Sequence, residues 1–374
     1  MPRKYTIAVL PGDGIGPEVV VQAIKVLKKA EEIVGFHLRF NAYDCGARYW
    51  VRNGRKNEWK PSTFQECKKA DAILLGAIGL PDVKYPDGRV VGGRVVFGLR
   101  MGLDLYANVR PCKLMDGVES PIRGKTTKDI DFVVVRENTE DLYVQIQGVL
   151  ARGGMEETAI DVGVTTRKGA ERVVEYAFRM ASKRRGAPSD GKRRVTCVDK
   201  SNVLKGSMLF RSVFSNIGRD YPKIGKDYAF VDAMAQWMVR RPEHYDVIVT
   251  TNLFGDILSD LGAALQGGLG LAPSGNIGDS NGMFEPVHGS APSYAGKNRA
   301  NPIAAILSAV MMLEWLSEKR GDRKLTQAAD LIRKSVAESL RDRKNLTYDL
   351  GGRTSTRKIG QIIQKNMVRV SESA

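Results

Sequence analysis

The segment Tyr5-Thr6-Ile7-Ala8-Val9-Leu10-Pro11-Gly12-Asp13-Gly14-Ile15-Gly16-Pro17 decides how the chain folds. Its first six residues form a short run, mostly apolar, of the length and composition of a buried strand. A glycine-rich turn follows, and Pro17 suits a first helical turn because its missing N–H would be unpaired there anyway. Val20, Ile24, Leu27 and Val34 then recur at near-helical spacing, which predicts a helix over 17–34. A strand, a glycine turn and a helix in that order could cradle phosphate on backbone N–H groups. The turn is nonetheless not the dinucleotide fingerprint, since its third glycine position is Pro17. Read alone, it is a tight strand-to-helix connection.

The same rhythm repeats outward. Strands are expected at Ala72 to Leu75, Asp131 to Val135, Val195 to Val198 and Asp246 to Thr251. Helices are expected at Gly169 to Ser182, from about Leu204, at Gly255 to Leu265, Asn301 to Lys319 and Thr326 to Leu340. This alternation predicts an α/β architecture with largely parallel, buried strands. With 374 residues, two lobes are the natural expectation. Gly267 to Asn281, with five glycines and Pro273, reads as loop, as does the irregular stretch Gly79 to Arg94.

Hydrophobic residues make up 43% and charged residues 27%, values of an ordinary folded protein. A net charge of +16 attracts polyanions without specific contacts. Lys and Arg nevertheless fall in scattered clusters such as Lys183-Arg184-Arg185 and Lys192-Arg193-Arg194, with no interleaved aromatics. The expectation is therefore no nucleic-acid partner, with a non-catalytic, basic polyanion- or RNA-binding protein on the same fold as the alternative from a different class. Cys45, Cys67, Cys112 and Cys197 form no C-x-x-C pair, and no apolar run reaches membrane-spanning length. No membrane partner and a cytoplasmic location are expected.

Several residues could carry chemistry. Asp256 and Asp260 stand four apart in a helical pattern, which puts two like charges on one face, roughly 5–6 Å apart at Cβ. A cation between them would relieve the repulsion; a solvated acidic face is the plain reading of the pair alone. Asp232 sits in Phe230-Val231-Asp232-Ala233-Met234, among apolar residues where an unpaired carboxylate is costly. Three carboxylates suit Mg²⁺ or Mn²⁺, which take oxygen ligands and keep positions open for substrate oxygens. Arg100, Arg110 and Arg136 border patterned segments, and guanidinium forks bind carboxylates bidentately. Lys200 follows a strand and Tyr143 follows Arg136 by seven residues; both can move protons.

Together these stretches resemble the β-decarboxylating dehydrogenase family, which includes the isocitrate, 3-isopropylmalate, homoisocitrate and tartrate or D-malate enzymes. The resemblance rests on Gly12-Asp13-Gly14-Ile15-Gly16-Pro17-Glu18, Leu103 to Pro111, Val135-Arg136-Glu137-Asn138-Thr139-Glu140, Asp199-Lys200-Ser201-Asn202, Asn252 to Asp260 and Glu285 to Pro292. It implies a two-domain, isopropylmalate-dehydrogenase-like α/β fold with parallel and mixed sheets, not a Rossmann fold. Residues 1–105 and 267–374 would form a large cofactor-binding domain, and 106–266 a smaller substrate and dimerisation domain. The implied assembly is a homodimer, with a higher oligomer open.

By the matching motifs, Arg100, Arg110 and Arg136 would hold substrate carboxylates. Asp232, Asp256 and Asp260 would hold the metal, and Lys200 and Tyr143 would move protons. Asp232, Lys200 and Asn202 would come from the second subunit. The cofactor would lie along Glu285, His288, Gly289, Ser290, Ala291, Ser293, Tyr294 and Asn301, with Ile78 nearby.

NAD-preferring relatives present an Asp where this chain has Ser293, and Tyr348 resembles the NADP-using isocitrate enzymes; the expectation leans to NADP, with NAD open. Arg94, Val96 and Phe97 would face the group on the substrate's β-carbon. The last two are apolar and favour 3-isopropylmalate over a tricarboxylate unless Arg94 turns inward. Gly93, where isopropylmalate enzymes usually carry Glu, and the tartrate-like stretches Gly79 to Arg94 and Lys113 to Lys128 keep isocitrate, homoisocitrate, tartrate and D-malate as alternatives.

Overall fold

The computed structural model describes residues 3–372. In chain order the first elements are β1 (Lys4–Leu10), α1 (Gly16–Val34), β2 (His37–Ala42), α2 (Ala47–Arg52), α3 (Thr63–Lys69), β3 (Ala72–Leu75) and α4 (Gly93–Gly102). The middle of the chain forms β4 (Ala107–Lys113), β5 (Asp131–Glu137), β6 (Gln147–Arg152), β7 (Met155–Asp161), α5 (Arg167–Lys183), β8 (Arg194–Asp199), α6 (Lys205–Ile217), β9 (Gly225–Phe230), α7 (Val231–Arg240), β10 (Val247–Thr250) and α8 (Asn252–Leu265). The last elements are β11 (Pro273–Ile277), β12 (Gly282–Pro286), α9 (Ile303–Arg320), α10 (Arg323–Arg341) and α11 (Thr356–Glu372).

Two compact units result. The first combines the segment ending at Leu105, Leu114–Pro121 and everything from Gln266 onward. Its strands run in the order β2-β1-β3-β12-β11, parallel except for the antiparallel β11–β12 pair. The second unit holds Tyr106–Lys113 and Ile122–Leu265. Its strands run β4-β5-β10-β8-β9, with β4–β5 antiparallel and the rest parallel, and β6–β7 form a separate antiparallel ribbon. Neither order is the 3-2-1-4-5-6 arrangement of a Rossmann domain, and the α/β class with mixed sheets is as expected.

The opening segment folds as its pattern predicts, although the buried face of α1 is Val19, Val20, Ala23, Val26, Leu27 and Ala30, with Ile24 and Val34 only half buried. The glycine turn is filled by protein. Gly14 has φ +56°, and a Cβ there would lie 1.9 Å from the Ser290 carbonyl oxygen, which accepts the Ile15 N–H at 2.8 Å. The Asp13 carboxylate is fully buried and accepts from the N–H groups of Ala47 (2.7 Å), Arg48 (2.9 Å) and Gly79 (2.9 Å).

Gly267 to Asn281 is not all loop. Pro273 to Ile277 form β11, buried at every position and paired with β12. Proline is tolerated at the first residue of a strand, and Ser-Gly-Asn has no strand propensity of its own; pairing partners decide it. Leu114–Pro121 lies with the first unit, where Glu119 pairs with Arg343 and Asp116 with Arg341 at 3.5 Å. No helix among the described residues is long and apolar enough to cross a membrane.

Replacing Asp13 by Ala strands three backbone donors. At roughly 1–3 kcal/mol for each unpaired buried donor, the expected loss of stability is at least about 3 kcal/mol, measured by denaturant unfolding. A loss below about 1 kcal/mol would show that the donors find other partners.

Candidate active site

Strand ends and one helix of the second unit bring five predicted residues together. Arg110 on β4 is 7% exposed and donates to Asn108 Oδ1 (2.8 Å), Ser259 Oγ (2.7 Å) and Asp260 Oδ1 (3.2 Å). Its other terminal nitrogen lies 3.3 Å from Asp256 Oδ1. Arg136 on β5 is 1% exposed; it donates to Asn252 Oδ1 from Nε (2.9 Å) and a terminal nitrogen (2.6 Å), and pairs closely with Asp256. Gly255 makes that approach possible, because a Cβ there would lie 2.6 Å from Arg136 Cβ. The Tyr143 hydroxyl donates to Asp256 Oδ2 at 2.9 Å, and the Arg136 guanidinium lies 5.2 Å from the Tyr143 ring centre.

Asp256 and Asp260 therefore share one face of α8, partly open to solvent and flanked by two guanidiniums. Burial raises the Asp260 carboxyl above its ordinary value; the charge of Asp256 adds to this, and Arg110 and Arg136 oppose it. Two oxygen donors whose charges repel fit a hard divalent cation that leaves coordination positions for substrate. Among the described residues no group of three His, Cys, Asp or Glu side chains forms a metal site within the chain.

Asp232 lies elsewhere, at the start of α7. The expectation that it is a costly carboxylate among apolar residues is corrected: its side chain is 67% exposed and accepts from Lys200 Nζ at 2.5 Å. That hydrogen bond holds the Asp232 carboxyl below its ordinary value. Phe230 and Val231, which precede it at the strand-to-helix junction, are half buried, and the Phe230 ring centre lies 5.8 Å from Lys200 Nζ. Lys200 sits in the turn after β8, whose geometry is set by buried Asp199 accepting from Ser201 N–H (2.8 Å) and Arg211 (2.7 Å). Asn202 is exposed in the same turn.

In the first unit, Arg100 on α4 is 7% exposed and donates to Glu285 Oε1 at 3.0 Å, an oxygen that also accepts from Asn276 at 2.9 Å. Its Nε is buried and has no hydrogen-bond partner among the described residues, a donor suited to a ligand carboxylate. Arg94 is stacked 4.4 Å from the Tyr85 ring centre. Val96 and Ile78 pack against the core around Leu10, Ile73 and Leu99, and Phe97 is half buried.

Among the residues expected at the cofactor, His288 has its imidazole pKa lowered by burial below the ordinary value, its Nδ1 is 3.0 Å from the Gly289 carbonyl, and its Nε2 has no partner among the described residues. Ser290 is buried, Ala291 has φ +37°, and Ser293 and Tyr294 are exposed. Asn301 accepts the Ile303 N–H at the start of α9 (3.0 Å) and donates to Asp349 (3.0 Å). The Arg299 guanidinium lies 4.1 Å from the Tyr348 ring centre.

Sequence reading missed Asn252 and Ser259, which hold the two arginines. Their signal was available: 252, 256, 259 and 260 recur at helical spacing on one face. Arg299 carries no pattern in the sequence.

The family model for isocitrate/isopropylmalate dehydrogenase matches residues 6–363. A 3-isopropylmalate dehydrogenase of Thermobifida fusca is 44% identical over 371 residues, 98% of this chain and 98% of that protein. One from Bifidobacterium longum is 42% identical over 355 residues, covering 94% of this chain and 99% of its own. Among solved structures, isocitrate dehydrogenase from Methylococcus capsulatus is similar with a TM-score of 0.85 and 36% identity, covering 97% of this chain and 99% of that one. Matched almost from end to end, the chain belongs to the isocitrate/isopropylmalate dehydrogenase family.

Proposed function

We propose that the chain is a metal-dependent 3-isopropylmalate dehydrogenase, which oxidises and decarboxylates its substrate and passes a hydride to NAD(P). The observation that carries this reading is the convergence of Arg110, Arg136 and Tyr143 on the Asp256/Asp260 face. The relatives named as 3-isopropylmalate dehydrogenases support the choice of acid, and the stacking of Arg94 on Tyr85 leaves apolar Val96 and Phe97 for an alkyl group.

In this mechanism Arg100, Arg110 and Arg136 bind and orient the two carboxylates of the acid, bidentate forks fixing its position. Asp256 and Asp260 of one subunit, with Asp232 of a second, would hold Mg²⁺ or Mn²⁺, which as a Lewis acid lowers the pKa of the hydroxyl and stabilises negative charge developed on loss of CO₂. Lys200, also of the second subunit and beside Asn202, would take the hydroxyl proton, and a bound nicotinamide would supply the hydride acceptor. Tyr143, oriented by Asp256, returns a proton to carbon.

A homodimer supplies what one chain keeps apart. The β6–β7 ribbon is exposed throughout and carries Val149, Leu150, Met155 and Ile160 at 54–74% exposure, an apolar surface that suits burial against a second copy. Four buried free cysteines fit a reducing cytoplasm. NADP is favoured as cofactor: Ser293 brings no charge to repel a 2′-phosphate, and Arg299 on Tyr348 offers a cation.

Steady-state rates with 3-isopropylmalate, isocitrate, homoisocitrate, D-malate and tartrate, each with NAD and NADP, test the reading. The isopropyl acid should dominate, and dominance of a tricarboxylate overturns the assignment. Chelation should abolish turnover, with Mg²⁺ or Mn²⁺ restoring it; turnover that survives chelation rejects the metal. Asp256→Asn should raise the Mg²⁺ concentration for half-activity at least about tenfold, since charge and coordination are both lost. Arg299→Ala should raise KM for NADP about tenfold while leaving KM for NAD within about twofold; equal changes would remove Arg299 from phosphate recognition.

A further inference from the structure

Tyr143 is carried by a single helical turn, Leu142–Val144, and both residues that flank this turn have positive φ without being glycine. Gln145 has φ +58° and ψ +28°, the left-handed region that polar side chains tolerate. Asp141 has φ +65° and ψ −145°, close to a region populated essentially by glycine. A side chain kept there must be held by its surroundings.

Asp141 is held on two sides. Its backbone N–H donates to the Val164 carbonyl at 2.7 Å, and its own carbonyl accepts from Val164 N–H at 3.3 Å. Its carboxylate Oδ2 accepts the Leu253 N–H at 2.9 Å, one of the donors in the first turn of α8 that has no partner inside the helix. Beside it, Asn252 Nδ2 donates to the Glu140 carbonyl at 3.1 Å. Two residues beyond Asp141 stands Tyr143, and three residues beyond Leu253 stands Asp256, which accepts from the Tyr143 hydroxyl at 2.9 Å. The tether and the Tyr143–Asp256 bond are successive rungs between one short segment and one helix.

We infer that Asp141 is a positioning residue: its strained backbone and its carboxylate, fastened to the start of α8, hold the Tyr143 hydroxyl against Asp256. This rests on the reading of Tyr143 as the proton donor; Asp141 acts through that residue, its carboxylate being engaged by the Leu253 N–H. The strain explains why the carboxylate is needed. Glycine would adopt the same φ freely but could not fasten the turn, whereas the aspartate accepts an unfavourable backbone in return for a fixed tyrosine.

The test compares Asp141→Gly and Asp141→Asn in the full-length protein. Glycine relieves the strain, so this variant should fold with undiminished stability, yet its kcat should fall about tenfold, part of the roughly 10²–10⁴ contributed by a positioned proton-transfer group. KM for the acid should stay within about twofold. Asn, whose amide oxygen can still accept the Leu253 N–H, should restore kcat. In a Tyr143→Phe background, Asp141→Gly should cost nothing further. An equal loss in both backgrounds, or no loss in either, overturns the inference.

A second readout needs no turnover. The ¹³Cζ resonance of Tyr143, identified by its disappearance in Tyr143→Phe, should move in Asp141→Gly and stay in Asp141→Asn; an unmoved resonance in the glycine variant overturns the positioning role. Should the unmodified protein oxidise no malate-type acid, the functional reading fails while the resonance still decides on Asp141.

Discussion

Two buried guanidiniums and two repelling carboxylates on one helical turn depend on each other in this protein. Arg136 is 1% exposed, and a charge so far from water would cost several kcal/mol if unpaired. Asp256 and Asp260 at a spacing of four would destabilise α8 if nothing opposed their charges. Each pair resolves the difficulty of the other, and the geometry follows. Arg110 and Arg136 must leave adjacent antiparallel strands, α8 must start beside them at Asn252, and residue 255 must be glycine so that Arg136 can lie flat against the helix.

That arrangement leaves the Asp256 and Asp260 carboxylates partly open. Asp260 is kept reluctant to ionise by burial and by its neighbour, a cost that a divalent cation would remove. The same cluster orients Tyr143 through Asp256, so in the proposed mechanism substrate binding, metal binding and proton return would share a single set of side chains. In the first unit the corresponding anchor is Asp13. One buried carboxylate joins the glycine turn to α2 and to Gly79, next to Ile78, while the Ser290 carbonyl joins that turn to the expected cofactor strip.

Much of the arginine and carboxylate cluster was legible before the structure. Asp256 and Asp260 announce themselves by spacing, and Arg136 by standing at the end of an apolar strand. Less was legible of what pairs with what. Glu285, expected at the cofactor, accepts from Arg100, a residue 185 positions earlier. Asp232, placed among apolar neighbours in sequence, projects from a helix start into solvent and meets Lys200. Val96, expected at the substrate, is half buried, with part of its side chain against the core around Leu10, Ile73 and Leu99. Which partner a side chain meets depends on where the surrounding elements bring distant residues, and the local pattern does not record that.

The sequence by itself determined the α/β class, the strand and helix alternation and the kind of chemistry, since hydrophobic period, turn residues and like-charge spacing are local properties that neighbours a few positions apart enforce. Only the tertiary structure decided that Pro273 to Ile277 is a strand, that Leu114–Pro121 belongs to the first unit and that Asn252 and Ser259 hold the arginines. Those outcomes come from hydrogen bonds and ion pairs between segments distant along the chain, whose energy exists only once the segments have been brought together.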